Sequence, residues 1–111
     1  DQDLLCLNSV ASYIDDHFAA HLSLDTLAKI ACMSVTKLKY TFKEAYKSTI
    51  SEYIVNKRLA QAEYLLVNTD LSISKVAQAV GYKKSVNFSD AFNKNTGLLP
   101  LAYRKVSTEK Q

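Results

Sequence analysis

Hydrophobic residues recur at spacings of three and four along most of the chain, which is the period of an amphipathic α-helix. The first such segment has Val10, Ile14 and Phe18 on one face, and it predicts a helix over residues 7–19 that ends near His21. After Thr69 a similar pattern begins again and continues almost to the end of the chain. The pattern therefore predicts a succession of helices with short connections.

Two short apolar segments in the first half are each preceded by serine, a residue that caps helix N-termini. Ser23 precedes a short helix that stops at Cys32-Met33, and Ser34 begins the next helix, which extends to about Lys47. This pair is predicted to form a helix, a tight turn and a second helix. The predicted inward face of the second helix consists of Val35, Leu38, Phe42, Ala45 and Tyr46.

The opposite face of this second helix is polar and basic. It contains Thr36, Tyr40, Lys43 and Lys47, flanked by Lys37 and Lys39. A longer helix without glycine or proline is predicted over residues 50–67, with a length of ~27 Å at 1.5 Å per residue. This long helix is expected to act as a spacer.

The chain contains an internal duplication. A shift of 49 residues places Ser23 on Ser72, and after one extra residue in the turn a shift of 50 places Phe42 on Phe92. Unrelated helices would not keep this register over thirty residues, so each half is predicted to be a small helical unit of the same design.

A short helix, a tight turn and a capped basic helix match the helix-turn-helix arrangement, whose second helix enters the DNA major groove. The groove is about 12 Å wide and admits one α-helix, while lysines at its margins neutralise phosphates. Two units held apart by the long helix would approach the ~34 Å spacing of successive groove turns. The sequence thus predicts sequence-specific binding of double-stranded DNA.

Composition agrees with an all-α fold, because the 111 residues are 48% hydrophobic and include only two glycines and one proline. Residues 1–25 carry five aspartates and no lysine or arginine, for a charge of −5 with neutral histidines. Residues 26–111 carry all 14 basic residues and the other 6 acidic ones, for a charge of +8. A basic body suits a polyanionic partner.

Other classes of function find little support in the chain. No segment approaches the roughly 20 apolar residues of a membrane span and the N-terminus lacks a secretory pattern, so a cytoplasmic protein is expected. His17 and His21 lack a third ligand with zinc spacing, and we expect no metal site and no cofactor. Without a phosphate loop or nucleophile elbow, no enzyme activity and no catalytic residue are predicted. The competing hypothesis is a helical protein-interaction module that binds an acidic partner through Tyr40 and the lysines.

Six motifs give the chain a resemblance to a known family over about residues 7–105. They are L-S-L-D-T-L-A at 22–28, S-V-T-K-L-K-Y-T-F-K at 34–43, R-L-A-Q-A-E-Y-L-L at 58–66, I-S-K-V-A-Q-A-V-G-Y at 73–82, F-S-D-A-F-N-K-N-T-G at 88–97 and P-L-A-Y-R at 100–104. With these motifs the chain resembles the C-terminal DNA-binding domain of AraC/XylS-type transcription regulators.

The resemblance implies seven helices that form two helix-turn-helix subdomains. The first would span residues 1–49 with a recognition helix at about 34–46, and the second residues 69–111 with one at about 85–95, joined by a linker helix at 50–68. It also implies transcription activation or repression and contact with RNA polymerase. The chain would be a fragment, because family members usually carry a sensing, receiver or dimerisation domain on the N-terminal side.

Carried over by position, the resemblance assigns particular residues to DNA. The base-reading residues would be Thr36, Lys39 and Tyr40 in the first unit and Ser85, Val86, Asn87 and Asp90 in the second. The lysines expected at phosphates are Lys37, Lys43, Lys47, Lys83, Lys84 and Lys94. A carboxylate at position 90 is unusual for the family, because phosphates repel it unless it accepts from a cytosine amine or pairs with a lysine, and weaker reading by the second unit is expected.

Two further departures concern helix ends. Lys84 stands where Ser34 caps the first recognition helix, so the start of the second recognition helix is uncertain. Lys47 stands where the second unit has Gly97, so the first exit turn is either built differently or strained.

Overall fold

The computed structural model describes residues 2–109, and within this range the chain forms seven α-helices and no β-strand. The helices are α1 Gln2–His17, α2 Leu24–Ala31, α3 Val35–Tyr46, α4 Ile50–Asn68, α5 Ile73–Ala79, α6 Ser85–Thr96 and α7 Pro100–Glu109. The predicted all-α class and the seven helices are confirmed. None of the helices in this range is both long and apolar enough to span a membrane.

The first helix differs from its predicted bounds, since it begins five residues before Leu7 and ends at His17. Leu4 and Leu5 belong to α1 but are exposed, so the burial pattern of the sequence could not reveal the first turn. Glutamine and leucine have high helix propensity, which extends α1 without a contribution from the core.

The chain divides into two compact units, Asp1–Lys57 and Arg58–Gln111, with the division inside α4. In the first unit α1, α2, α3 and the beginning of α4 share one core. Its buried members are Leu7, Val10, Ile14, Leu27, Ala28, Ala31, Leu38, Phe42 and Ile50. Ala45 was predicted to pack inward but is exposed, because a single methyl group at the margin of the apolar face gains little from burial.

Three aromatic rings join α3 to α4 in the first unit. Phe42 stacks on Tyr46 with ring centroids 4.6 Å apart and meets Tyr53 edge-on at 5.5 Å. The Tyr53 hydroxyl donates to Asp15 Oδ1 at 3.0 Å, so this ring also ties α4 to α1. Burial, together with the hydrogen bond to the carboxylate, raises the pKa of Tyr53 to about 12. The recognition helix is thereby held on its inner side by packing and leaves its outer side open.

The second unit repeats this design with its own core. The buried residues are Leu59, Ala62, Leu66, Val76, Ala77, Val80, Phe88, Phe92 and Pro100. Phe92 meets Tyr103 edge-on with centroids 5.2 Å apart, at the repeat positions of Phe42 and Tyr53. Arg104 Nε donates to the Leu66 carbonyl oxygen at 2.9 Å and so satisfies a carbonyl in the last turn of α4.

Serine caps begin three of the helices. The hydroxyls of Ser23, Ser34 and Ser72 each accept the backbone N–H of the residue three positions later, at 3.1 Å. These caps satisfy donors that would otherwise lack a partner at the start of α2, α3 and α5. At the start of α6 the N-cap residue is Lys84, whose side chain makes no capping hydrogen bond.

The two recognition helices end in the same backbone conformation. Lys47 follows α3 with φ 61°, and Gly97 follows α6 with φ 82°. Glycine adopts this left-handed conformation freely, whereas a residue with a Cβ atom is strained in it. The first exit turn is therefore built like the second. Of the two possibilities for Lys47, a different turn or a strained one, the structure shows the strained turn.

Candidate nucleic-acid interface

The turn between α2 and α3 fixes how the recognition helix of the first unit projects from the core. Cys32 has a left-handed backbone with φ 55°, and its N–H donates to the Lys29 carbonyl at 3.1 Å. The Met33 N–H donates to the Ala28 carbonyl at 3.0 Å, and Ser34 then caps α3. The chain thus reverses within three residues, as a helix-turn-helix requires.

The outer side of α3 is fully available to a ligand. All six residues assigned to DNA in this unit are exposed, namely Thr36, Lys37, Lys39, Tyr40, Lys43 and Lys47. Leu38 and Phe42 on the inner side are completely buried, whereas the Tyr40 side chain is 68% exposed. An aromatic ring with that exposure contributes little to the core, so it is available for contact with a partner.

Four of these residues line one open cleft of about 440 Å³. Its walls are Thr36, Lys39, Tyr40 and Lys43 of α3, Leu24 of α2, and Thr49, Ile50 and Ser51 at the start of α4. Lys43 and Tyr40 also border an adjacent open depression with Glu44 and Lys47. The cleft gathers residues expected to read bases and residues expected to bind phosphate, and it adds the hydroxyls of Thr49 and Ser51, which sequence reasoning did not identify.

The start of α4 at this cleft is held by a reciprocal capping box. The Thr49 N–H donates to Glu52 Oε1 at 2.8 Å, and the Glu52 N–H donates to Thr49 Oγ1 at 3.0 Å. The Thr49 N–H lowers the pKa of Glu52, with smaller contributions from the Thr49 hydroxyl and from the charge of Lys43. The pattern T-x-x-E at residues 49–52 is readable in the sequence and could have located this end of α4.

Lys37 differs from the other lysines of α3. Its Nζ lies 3.6 Å from Asp3 Oδ2 in the first turn of α1. An exposed ion pair of this kind is weak, but it places a carboxylate beside a side chain that was assigned to phosphate. The acidic N-terminal segment therefore reaches the recognition helix, which sequence reasoning did not anticipate.

The second unit presents the corresponding helix, α6. The turn before it repeats the hydrogen bonds of the first unit, since the Gly81 N–H donates to the Gln78 carbonyl and the Tyr82 N–H to the Ala77 carbonyl. All seven residues assigned to DNA here are exposed, namely Lys83, Lys84, Ser85, Val86, Asn87, Asp90 and Lys94. Val86 is 67% exposed, and the structure records no ion pair between Asp90 and Lys94 among residues 2–109.

The described part of the chain has no cluster of three histidine, cysteine, aspartate or glutamate side chains that could hold a metal ion. Cys6 is half-buried and Cys32 is exposed, both as free thiols.

A family profile described as "Helix-turn-helix domain" matches residues 27–106. The chain belongs to this family, and within it to the AraC/XylS-type regulators. It is 32% identical over 99 residues to the Msm operon regulatory protein of Streptococcus mutans, covering 89% of this chain and 36% of that protein. It is 29% identical over 99 residues to the arabinose operon regulatory protein of Salmonella typhimurium, covering 88% and 35%. The chain thus spans little more than a third of the length of these relatives.

Solved structures agree with the family. The DNA-binding domain of AdpA, a global transcriptional factor, was determined in complex with a target DNA and matches with a TM-score of 0.89 and 27% identity over 95% of both chains. The C-terminal domain of AraT, a response regulator from Geobacillus stearothermophilus, matches with a TM-score of 0.87 and 29% identity, covering 91% of this chain and 84% of that one.

Proposed function

We propose that this chain is the sequence-specific DNA-binding part of a larger transcription regulator, and that α3 and α6 enter successive turns of the major groove. The observation that carries the proposal is the cleft of the first unit, where an exposed aromatic ring stands between lysines on a helix-turn-helix scaffold. The repeated scaffold supports binding by both units, because one chain then supplies what a dimer otherwise provides.

In the first unit we assign Thr36, Lys39 and Tyr40 to base edges. A lysine ammonium is suited to guanine O6 and N7, and a threonine methyl to the thymine methyl group. Lys43 and Lys47, together with Lys37, are assigned to phosphates, where they supply affinity without sequence information. This division of roles is supported by the position of Tyr40 in the cleft, with lysines on either side of it.

In the second unit we assign Ser85, Val86 and Asn87 to base edges. Asparagine is suited to adenine N6 and N7, and an exposed valine to the thymine methyl group. Lys83 and Lys84 lie directly before these residues and are assigned to phosphates. Asp90 and Lys94 lie further along α6, so their contribution depends on how deeply this helix enters the groove.

The proposal extends to partners outside the chain. A regulator of this kind would carry a sensing, receiver or dimerisation domain, contact RNA polymerase and act in the bacterial cytoplasm. The relative AdaA of Bacillus subtilis, 34% identical over 98 residues, is named a bifunctional transcriptional activator and DNA repair enzyme. For the present chain we propose binding without catalysis. The hypothesis of a protein-interaction module finds no support in the comparisons.

The test is a competition experiment with a duplex selected by this chain from random DNA and a scrambled duplex of the same composition. Specific reading predicts that the selected duplex binds at least about 10³-fold more tightly than the scrambled one at moderate salt. In a double Lys39→Ala, Tyr40→Ala variant, the ratio of the two affinities should fall most of the way to one. The variant should still bind both duplexes with about the affinity that the wild-type chain has for the scrambled one. Equal binding of the two duplexes by the wild-type chain would overturn the proposal.

A further inference from the structure

The recognition helices of the two units differ in where their positive charge lies. At a shift of 50 residues, the lysines at positions 39, 43 and 47 in and after α3 correspond to Ser89, Asn93 and Gly97 in and after α6. The middle and end of α6 therefore lack counterparts of Lys39 and Lys43, which border the cleft, and of Lys47, which borders the adjacent depression. They keep one lysine, Lys94, at the repeat position of Glu44. Because Lys43 and Lys47 are assigned to phosphates and Lys39 to a base edge, their replacement removes two backbone contacts and one base contact from that part of the helix.

The residues at the start of the helix that follows each recognition helix also differ, and this difference too removes possible phosphate contacts from the second unit. Thr49 and Ser51 line the cleft of the first unit, and the repeat positions in the second unit are Leu99 and Leu101. These leucines are 54% and 53% exposed, so the core does not require them. Exposed leucines offer phosphate oxygens no hydrogen-bond donor, whereas hydroxyls do.

A carboxylate stands where the first unit has its central aromatic ring. Asp90 occupies the repeat position of Tyr40 and is exposed on α6. Deep entry of α6 into the groove would bring this negative charge close to two phosphate backbones, which is unfavourable. The middle of α6 is thus poor in attractive contacts and also carries a repulsive one.

The beginning of α6 has the opposite character. Lys83 and Lys84 are exposed immediately before the helix, and Ser85, Val86 and Asn87 follow in its first turn. Lys84 is the N-cap residue, and its ammonium group has only donors, so it can bind a phosphate but cannot cap the helix. Apart from Lys94, the exposed residues of the second unit that suit DNA therefore lie at the N-terminus of α6.

From these four observations we infer that α6 contacts DNA only through its N-terminal end, Lys83 to Asn87, whereas α3 lies along the groove through most of its length. This inference rests on the proposed function and deepens it. Asp90 then points away from the phosphate backbones and reads no base, and Lys94 binds no phosphate. The base contacts of the second unit are confined to about one helical turn.

The experiment measures the dependence of the binding constant on salt for the wild-type chain and for Lys84→Ala, Lys94→Ala and Lys43→Ala. Each substitution removes one positive charge from an exposed position. Loss of one phosphate contact on duplex DNA reduces the magnitude of the slope of log K against log salt by about 0.9. We expect this reduction for Lys84→Ala and Lys43→Ala, and a slope equal to that of the wild-type chain for Lys94→Ala.

Two outcomes would overturn the inference. If Lys94→Ala reduced the slope as much as Lys84→Ala, the C-terminal half of α6 would contact phosphate. If neither changed the slope while Lys43→Ala did, the N-terminal end of α6 would not contact phosphate either. Both leave DNA binding by the first unit intact, whereas a wild-type chain that bound no duplex would overturn the proposed function itself. Folding of each variant is checked by its helical circular dichroism.

Discussion

The Nζ atom of Lys37 lies 3.6 Å from the Oδ2 atom of Asp3, which joins the first turn of α1 to the first turn of the recognition helix α3. A negative charge is thus held beside a helix whose exposed side carries Lys39 and Lys43. When a phosphate approaches, Lys37 can bind it only in competition with Asp3, and Asp3 also repels the phosphate. If Lys37 binds phosphate as proposed, we expect the ion pair to reduce the electrostatic attraction of the first unit for DNA.

Replacement of Asp3 by asparagine tests this effect. We expect Asp3→Asn to tighten binding to all duplexes by roughly 2- to 5-fold, which is the range of a weak exposed ion pair. The control is Asp16→Asn, which removes the same charge from an exposed position near the other end of α1. Affinities are measured by titration of a labelled duplex. If the two substitutions tightened binding equally, the change in total charge rather than the loss of the contact with Lys37 would explain the tighter binding.

The division of α3 into base-reading and phosphate-binding residues makes a second prediction. Tyr40→Ala should relax the preference at individual base pairs and cost about 1–3 kcal/mol on the selected duplex. Lys43→Ala should weaken binding to selected and scrambled duplexes by the same factor and reduce the salt dependence. Affinities measured on a panel of single base-pair changes distinguish these patterns, and identical profiles for the two variants would show that the division is wrong.

The strained exit turn of α3 predicts an opposite pair of stability changes. Lys47→Gly should raise the free energy of unfolding by up to about 1 kcal/mol, because glycine adopts φ 61° without strain. Gly97→Ala should lower the free energy of unfolding by about 1 kcal/mol. Backbone strain alone would cause this loss, because an added Cβ atom would have no other atom within 4 Å and so would not clash. Denaturant unfolding measures both, and a loss of stability in Lys47→Gly would contradict the assignment of strain.

The capping box at the start of α4 predicts a dependence of stability on acid. The folded chain lowers the pKa of Glu52 below its ordinary value of 4.5, so the charged form stabilises the fold above that pH. This contribution is lost as the pH falls through the lowered pKa. Glu52→Gln keeps a capping side chain without the charge.

The thermal midpoint of Glu52→Gln should therefore fall less than that of the wild-type chain between pH 6 and pH 3. Glu44→Gln, an exposed substitution in α3, serves as the control and should follow the wild-type curve. Parallel curves for the wild-type chain and Glu52→Gln would contradict the proposed role of the Glu52 charge.

Much of the fold could be predicted because local signals and the core pattern agree in this sequence. Ser23 and Ser34 cap the helices that they were predicted to cap. Ser72 caps α5 at the repeat position of Ser23, and Phe42 and Phe92 are buried at the same repeat position. The start of α1 could not be predicted, because Leu4 and Leu5 are exposed and follow no burial pattern.

Parts of the candidate site were beyond sequence reasoning for a different reason. The contact of Asp3 with Lys37 joins residues 34 positions apart, and no local period signals such a pair. Thr49 and Ser51 enter the cleft because α4 begins beside α3, which only the tertiary structure shows. In contrast, the exposure of Tyr40 followed directly from helical periodicity, since Leu38 and Phe42 had to face the core.

The most direct test of the central claim is selection of bound duplexes from a random DNA pool by this chain alone, followed by sequencing. Reading by two helices in successive groove turns predicts two enriched blocks whose centres are about ten base pairs apart, with the block read by α6 shorter than the block read by α3. A pool that is retained by the chain without enrichment of any sequence would contradict specific DNA recognition by these two helices.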